Sequence, residues 1–184
     1  MINVLPVDKC VANFVSYSCY LSQVEPTKVE EALQDESWVE AMHDELLQFQ
    51  RNHVWTLVPR PEGEHIIGKK WIFRNKTDEE GNVIHNKAWL VAQGYSQMES
   101  VDYDETFASV ARMESIKILL ALACHLKFKL YQMDVKTTFL NWLLKENVYV
   151  AQPKGFINPH FPNHVLYLKK ALYGLKQAPR AWYD

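Results

Sequence analysis

Cysteine is scarce in this sequence. Three of the 184 residues are cysteine, at positions 10, 19 and 124. An odd number at irregular spacing excludes a disulfide framework and offers no paired zinc motif. This scarcity indicates a reducing compartment, so we predict a cytoplasmic location, with the nucleus as an alternative.

Long hydrophobic runs and a signal segment are absent as well. The longest apolar stretch, residues 118–124, is far shorter than the ~20 residues that cross a bilayer. Asp8 and Lys9 interrupt the N-terminus before an apolar signal segment develops. We therefore expect an intracellular chain without a membrane partner.

Glycine and proline are few, with six and eight residues, which excludes collagen-like and linker-dominated chains. Hydrophobic residues make up 48% and charged residues 23% of the chain, too apolar a mixture for intrinsic disorder. The length suits one domain with a sizeable core. A formal net charge of −2 argues against a simple polycation that coats nucleic acid.

The charge is nevertheless uneven along the chain. Residues 1–50 carry nine acidic and two basic side chains, whereas residues 151–183 carry five bases and no acid. Such asymmetry is compatible with an anionic partner on one part of the molecule. On charge alone, an acidic solvated helix followed by ordinary surface lysines is the better interpretation.

The first half of the chain predicts helices and then a hairpin. Residues 1–24 lack a clear period and are interpreted as a poorly ordered leader. Thr27 and Glu30 form a capping-box pattern, and Ser37 is a candidate cap for a helix that runs to about Asn52. Residues 66–75 and 83–93 are two extended segments around a polar turn at 78–82, typical of a long β-hairpin. The predicted helical core stripe is Trp38, Met42, Leu46 and Phe49.

The second half mixes shorter elements. Residues 113–125 predict a helix with an apolar face at Ile116, Leu119, Leu120 and Ala123. The alternating segment 128–135 predicts a strand, and residues 137–143 predict a short helical turn. Further strands are predicted at 148–152 and 165–168, and a helix near Ala178. Because there is no regular βαβ alternation, the fold class is α+β.

Two patterns leave alternatives open before any family is considered. Asp102-Tyr103-Asp104 is either a D-x-D element that binds a divalent cation or a loop built on hydrogen-bonding aspartates, the better interpretation. Asp134 follows an apolar segment, where an unpaired carboxylate is costly to desolvate. It either has a metal or another cation as partner, or it pairs with Lys136 or caps the following turn.

Several strings then identify a family. The string LYQMDVKTTFLN at residues 130–141 resembles the first catalytic motif of copia-type retrotransposon reverse transcriptases. The other similar strings are WIFRNK (71–76), LVAQGYSQ (90–97), VDYDETFA (101–108), VYV (148–150), QPKGF (152–156) and ALYGLKQAPRAWY (171–183). They occur in family order and cover roughly residues 25–184.

The resemblance implies a fold and a reaction. It implies a right-hand reverse transcriptase fold, with residues 25–184 forming the polymerase fingers and the first part of the palm, an incomplete domain. The family reaction is template-directed addition of dNTP to a DNA primer on an RNA template, by two-metal phosphoryl transfer with Mg²⁺. Asp134 is then the catalytic, metal-binding carboxylate, the Val135 carbonyl an accompanying metal ligand, and Phe139 the bulky residue that excludes a 2′-OH.

The same resemblance implies two sets of binding residues. The residues expected to contact the incoming nucleotide, besides Phe139, are Lys70, Lys87, Gly174 and Gln177. The residues expected to contact template or primer phosphates are Lys69, Arg74, Lys76, Lys176 and Arg180.

The chain also departs from the family pattern. Single-residue departures are Trp89 for a fingers arginine, Trp142 for a glycine, Thr138 for an alanine and Ser109 for a proline. The paired-aspartate motif, the thumb and any RNase H region are expected beyond residue 184. The sequence thus predicts a truncated polymerase that is inactive alone unless another polypeptide supplies the missing regions, so whether it is an enzyme stays open. The alternatives are a non-catalytic module that binds nucleic acid or a protein partner, and a poorly folding pseudogene product.

Overall fold

The structure is a computed structural model that describes residues 21–108, 110–135 and 137–183. Its helices are α1 (Val29–Ala32), α2 (Glu36–Arg51), α3 (Met113–Leu126) and α4 (Ala178–Tyr183). Its strands are β1 (Trp55–Val58), β2 (Ile66–Ile67), β3 (Lys69–Thr77), β4 (Val83–Ala92), β5 (Leu143–Val150) and β6 (Val165–Lys170). Short 3₁₀ segments span Gly94–Ser96 and Thr138–Asn141.

The strands form two small sheets. One has the order β1-β6-β5-β2, antiparallel except for the parallel pair of β2 with β5. The other is the antiparallel hairpin of β3 and β4, which we call the hairpin. Helices and mainly antiparallel strands are mixed, as the α+β prediction states. Among the described residues, no helix has the length and apolar character that would let it span a bilayer.

Helix α2 packs its apolar stripe against β4 and forms much of the core. All four predicted stripe residues are buried, which confirms that prediction. Its N-cap is Asp35, whose carboxylate accepts a hydrogen bond from the Ser37 N–H at 3.0 Å, so the prediction of Ser37 as cap is wrong. The helix starts at Glu36, and only the residue before it can cap that first turn.

The capping box at the start of helix α1 also differs from the prediction, because its glutamate is one residue further along the chain. The Glu31 carboxylate, rather than that of Glu30, accepts hydrogen bonds from the Thr27 N–H at 2.9 Å and the Lys28 N–H at 3.3 Å. The cap is Lys28, which makes Glu31 the third helical residue, from which a side chain reaches back to the cap.

The hairpin confirms the prediction of two extended segments around a polar turn. At the turn, the Asp78 carboxylate accepts hydrogen bonds from the Glu80 and Asn82 N–H groups at 3.0 and 2.8 Å. Gly81 adopts a left-handed φ of 88°. Thus the turn residues close the hairpin through local side-chain bonds, as Asp and Gly do in such turns.

The segment 128–135 forms no strand, so that prediction is wrong. Helix α3 precedes it as predicted and ends at Lys127, which has a left-handed φ of 55°. A strand needs a neighbour for its backbone groups, and no described strand pairs with 128–135. Of the predicted apolar face of α3, only Ala123 is buried, while Ile116, Leu119 and Leu120 are exposed.

The remaining element predictions hold. The 3₁₀ turn, β6 and the start of α4 lie where they were expected, and β5 begins five residues before its predicted start at 148. Residues 1–20 lie outside the described residues, so the leader and the domain bounds stay predictions. Within 21–24, the Val24 carbonyl accepts a hydrogen bond from Trp38 Nε1 at 3.1 Å, which attaches this segment to α2.

Candidate functional site

Asp134 lies exposed in the irregular segment that leads into the second 3₁₀ turn. The cost of desolvating this carboxylate, expected from the sequence, therefore does not arise. The neighbouring Val135 carbonyl accepts a hydrogen bond from the Thr138 hydroxyl at 2.7 Å, which ties Asp134 to the turn that carries Phe139. Pairing of Asp134 with Lys136 lies outside the described residues.

Tyr173 connects this segment to the core. Its ring meets Phe139 edge-on, with 4.9 Å between ring centroids. Burial raises the pKa of the Tyr173 hydroxyl, and the Glu45 carboxylate raises it further. Hydrogen bonds with Thr138 oppose this rise, and the charge of Asp134 adds to it. Tyr173 therefore contacts Phe139 and Thr138, and the charges of Glu45 and Asp134 act on its hydroxyl.

Glu45 supplies a second carboxylate to this neighbourhood. It projects from α2, and burial raises its pKa, while the Leu90 N–H and Lys87 act in the opposite direction. The contact with Leu90 is a long hydrogen bond of 3.4 Å. Neither Glu45 nor Tyr173 was identified from the sequence, although Tyr173 lies inside the similar string at 171–183.

Two departures from the family pattern fit the structure without strain. Trp142 adopts an extended φ of −106°, so the left-handed turn that a glycine would favour is not required at this position. Its ring meets Trp182 edge-on at 5.6 Å. Trp89 lies beneath the Lys87 ammonium, 4.9 Å from Nζ to the ring centroid. Ser109 lies outside the described residues.

Strand alternation decides which hairpin bases are exposed. Lys70, Arg74 and Lys76 lie on the solvent side, whereas Lys87 is half-buried beside Trp89. Arg74 forms an ion pair with Glu25 at 2.7 Å. Hydrogen bonds from the Asn75 N–H and from Arg74 hold the pKa of the Glu25 carboxyl below its usual range.

The hairpin does not present Lys69 to solvent. This residue shares the buried face of β3 with Trp71 and Phe73, and only 8% of it is exposed. Its Nζ lies 4.4 Å from the centroid of the Trp55 ring and has no hydrogen-bond partner among the described residues. Burial lowers the pKa of Lys69 well below its usual range. The amine is therefore buried rather than presented to phosphates at the hairpin surface, because positions 69, 71 and 73 of β3 face the core.

Gln177 is likewise internal. It is 2% exposed, accepts a hydrogen bond from Gln97 Nε2 at 3.0 Å and donates one to the Asp102 carbonyl at 3.2 Å. Gln97 Oε1 also accepts the Lys176 N–H at 2.9 Å, whereas the Lys176 side chain is exposed. Gln97 is a positioning residue that the sequence analysis missed, although it ends the similar string at 90–97.

The turn at 173–177 approaches the end of the hairpin closely. The Ala92 N–H donates to the Tyr173 carbonyl at 2.7 Å. Gly174 has a left-handed φ of 90°, and a Cβ there would overlap the Ala92 carbonyl oxygen and the Val91 side chain. Only glycine fits both demands.

Arg180, on α4, forms an ion pair with Glu105 at 3.3 Å.

Asp102 belongs to a hydrogen-bonded loop, which confirms the better of the two interpretations of its D-x-D pattern. Its carboxylate accepts the Met98 N–H and contacts His65 Nδ1, both at 2.7 Å. Both contacts engage the Oδ2 atom of Asp102. Across residues 21–108, 110–135 and 137–183, no group of three His, Cys, Asp or Glu side chains could hold a metal ion.

The chain matches a family model and several transposon proteins. Residues 52–184 match the model described as reverse transcriptase (RNA-dependent DNA polymerase). The chain is 45% identical over 163 residues to the retrovirus-related Pol polyprotein from transposon RE1 of Arabidopsis thaliana, covering 88% of this chain and 11% of that protein. It is 40% identical over 162 residues to the corresponding polyprotein from transposon TNT 1-94 of Nicotiana tabacum, covering 86% of this chain and 12% of that protein.

The chain thus spans about a tenth of the length of these relatives, namely 11% of the first and 12% of the second. No solved structure matches it. The family match extends over both Asp134 and the turn at 173–177, the two segments that the structure brings together through Tyr173. The chain therefore belongs to the reverse transcriptase (RNA-dependent DNA polymerase) family.

Proposed function

We propose that this chain supplies the fingers and the first part of the palm of a copia-type RNA-directed DNA polymerase. The observation that supports the proposal is the contact of Phe139 and Thr138 with Tyr173, in the turn that Thr138 ties to Val135 next to Asp134, within the segment that matches the family. Its partners would be an RNA template, a DNA primer and dNTP. The cytoplasmic or nuclear location stays a prediction.

Asp134 is proposed as a ligand of Mg²⁺, with the Val135 carbonyl beside it. Carboxylate and carbonyl oxygens are ligands that suit this ion, which in such enzymes promotes attack by the primer 3′-OH. The described residues bring no group of three metal-ligating side chains together, so they do not complete a site for the ion. In this proposal the remaining ligands come from residues outside those described.

Phe139 is proposed as the residue that selects deoxyribose. A rigid ring next to the sugar rejects a 2′-OH by steric exclusion, provided that the ring cannot turn away. The edge-on contact with Tyr173 restricts the Phe139 ring, and the Thr138 hydrogen bond to Val135 fixes the backbone of the turn.

The 184 residues alone are proposed to be inactive, because one metal-binding carboxylate does not make a two-metal site. This proposal is tested by comparing two proteins on a primed RNA template with labelled dNTP and Mg²⁺. One is the 184-residue chain. The other is a chimera in which this chain is followed by the downstream region of the Pol polyprotein from transposon RE1, which is 45% identical over the shared part.

We expect the chimera to extend the primer and the 184-residue chain not to do so. Asp134→Asn in the chimera should reduce extension at least ~100-fold, whereas Glu62→Gln, an exposed acid in a loop, should leave it unchanged. Extension by the 184-residue chain would refute the inactivity. Full extension by Asp134→Asn, or none by an unmodified chimera that binds an RNA–DNA hybrid, would refute the assigned function.

A further inference from the structure

A network of polar side chains runs from the start of β2 to the turn at 173–177. His65, directly before β2, contacts Oδ2 of Asp102 through Nδ1 at 2.7 Å. The Asp102 carbonyl accepts a hydrogen bond from Gln177 Nε2 at 3.2 Å, and Gln177 Oε1 accepts one from Gln97 Nε2 at 3.0 Å. We call these four residues the polar network.

The Asp102 carboxylate depends on His65 for one of its hydrogen bonds. Asp102 is buried, and a carboxylate that is removed from water needs protein donors in its place. Because a carboxylate only accepts hydrogen bonds, this contact assigns the hydrogen of His65 to Nδ1. The second donor to the same oxygen is the Met98 N–H at 2.7 Å. Loss of the imidazole therefore weakens the hold on the side chain of Asp102.

The His65 end of the network is fixed by the four-stranded sheet. The next residue, Ile66, pairs with Tyr149 of β5. Ile67 is buried in the core, and its carbonyl accepts the Ala151 N–H at 3.0 Å. His65 therefore projects from a backbone that the sheet holds in place, as a residue that positions others requires.

The other end of the network holds the turn at 173–177. Gln97 Oε1 accepts the Lys176 N–H at 2.9 Å, so the network bonds to two successive residues of the turn. The first 3₁₀ segment and the turn are so close that a Cβ at Gly94 would overlap the Gly174 carbonyl oxygen. The position of the turn therefore depends on the polar network.

The same turn carries Tyr173, which contacts the ring proposed to select deoxyribose. The rings of Tyr173 and Phe139 meet edge-on, with 4.9 Å between their centroids. A shift of the turn displaces Tyr173 and gives the Phe139 ring room to move away from the sugar. Displacements of about 1 Å are enough to alter how an enzyme treats its substrate.

We propose that His65 is a positioning residue for the choice between deoxyribonucleotides and ribonucleotides. It acts through Asp102 on the turn at 173–177. Held in place, that turn restricts the Phe139 ring through Tyr173. The inference rests on the proposed function, since it requires Phe139 to lie beside the sugar. His65 belongs to none of the strings that resemble the family.

The first experiment asks whether His65 holds the turn, and it needs no polymerase activity. Hydrogen exchange of the Lys176 N–H is measured by NMR in the 184-residue chain, in His65→Ala and in His160→Ala, which replaces an exposed loop histidine. We expect exchange at least ~10-fold faster in His65→Ala alone. His65→Asn keeps an N–H donor close to the Nδ1 position, so it should restore slow exchange.

Two results of this experiment overturn the proposal. One is equal exchange of the Lys176 N–H in His65→Ala and the parent chain. The other is an equally large acceleration of the amides of β4, because it would show a general loss of stability rather than release of the turn.

The second experiment measures nucleotide choice in the chimera with the downstream region of the RE1 Pol polyprotein. The value of kcat/KM is determined on a primed RNA template for a dNTP and for the matching rNTP. His65→Ala should lower the preference for dNTP at least ~3-fold. His65→Asn should restore the preference, and His160→Ala should keep it. A merely structural defect lowers both values equally and leaves their ratio unchanged, which would refute the role of His65.

The outcomes separate this inference from the proposed function. A chimera that extends the primer while His65→Ala keeps the full preference for dNTP refutes the role of His65 and leaves the proposed function standing. A chimera that binds an RNA–DNA hybrid but adds no nucleotide refutes both.

Discussion

Lys69 shows how one residue can oppose the stability of the fold that contains it. Its amine is buried on the core side of β3 without a hydrogen-bond acceptor among the described residues. An unpaired polar group costs about 1–3 kcal/mol in proteins. We therefore predict that Lys69→Met raises the free energy of unfolding by about 1–3 kcal/mol at neutral pH, measured by denaturant unfolding. Lys70→Met, which replaces the exposed neighbour, should change it by less than about 0.5 kcal/mol.

The same residue makes stability depend on pH. The pKa of Lys69 is lowered in the folded state, so between that pKa and the ordinary value of 10.5 the unfolded chain holds one more proton. Stability must then rise with pH across this window. We predict such a rise up to about pH 9, below the ionisation of tyrosine, and a smaller one in Lys69→Met. Equal slopes in the two proteins would contradict the buried position of the amine.

Gly174 and Gly81 form a matched pair for another prediction. Both adopt a left-handed φ, but a Cβ at Gly81 meets nothing within 4 Å, whereas one at Gly174 overlaps the Ala92 carbonyl. Gly81→Ala should therefore cost about 1 kcal/mol from the backbone conformation alone. Gly174→Ala should cost about 3 kcal/mol or more, because the overlap adds to it. Equal losses in denaturant unfolding would show that the turn moves away without cost.

At the scale of single residues, the sequence predicts which segments carry the family motifs, but it does not predict whether a given side chain faces the core or the solvent. The strings around Asp134 and Gly174 identify the segments that the structure brings together. The strings do not show that Lys69 and Gln177 are internal. For Lys69, that depends on which face of β3 packs on the core. For Gln177, it depends on Gln97, which lies 80 residues away along the chain. Contacts at such separation have no local pattern.

At the scale of elements, the amide pair of Gln97 and Gln177 joins the end of the 3₁₀ segment Gly94–Ser96 to the turn at 173–177. Removal of either amide leaves a buried partner unsatisfied, which costs about 1–3 kcal/mol. We predict that Gln97→Ala and Gln177→Ala are non-additive, with a coupling of about 1 kcal/mol in a double-mutant cycle.

The control for this cycle is Gln50→Ala, on the exposed end of α2. Combined with Gln97→Ala, it should be additive within about 0.5 kcal/mol. Additivity of the Gln97 and Gln177 substitutions as well would mean that the amides do not hold the turn in place.

Elements with local signals were predictable, and elements without them were not. The hairpin follows from alternating apolar residues around Asp78 and Gly81, which close the turn through their own bonds. The segment 128–135 has the same alternation, yet it forms no strand, because none of the described strands pairs with it. An alternating pattern of apolar residues indicates which face a strand would bury. The strand itself forms only where a neighbouring strand pairs with its backbone.

At the scale of the whole molecule, stability is concentrated in one part. The buried residues belong mainly to α2, the hairpin and the four-stranded sheet, and Ala123 is the one buried residue of α3. The large apolar residues of α3 that are exposed are Met113, Ile116, Ile118, Leu119, Leu120, Leu122 and Leu126. A cooperative unfolding transition of the core should therefore be nearly independent of these side chains.

The last prediction follows from the exposure of α3 outside the buried core. Apolar surface in contact with water binds the dye ANS, and α3 presents seven exposed large apolar side chains along one helix. Ile118→Glu/Leu122→Lys replaces two exposed residues four positions apart with a favourable ion pair. We expect ANS fluorescence to fall measurably, while Tm changes by less than about 2 °C.

The control is Ile84→Glu, which replaces a single exposed apolar residue of the hairpin, 57% exposed. It should leave ANS fluorescence nearly unchanged, because isolated apolar residues on a surface do not form a patch. If the double substitution in α3 instead lowers Tm by many degrees and leaves ANS fluorescence unchanged, these side chains must be packed in solution. The cooperative core would then include α3, and the fold would be stabilised by contacts between this helix and the sheets.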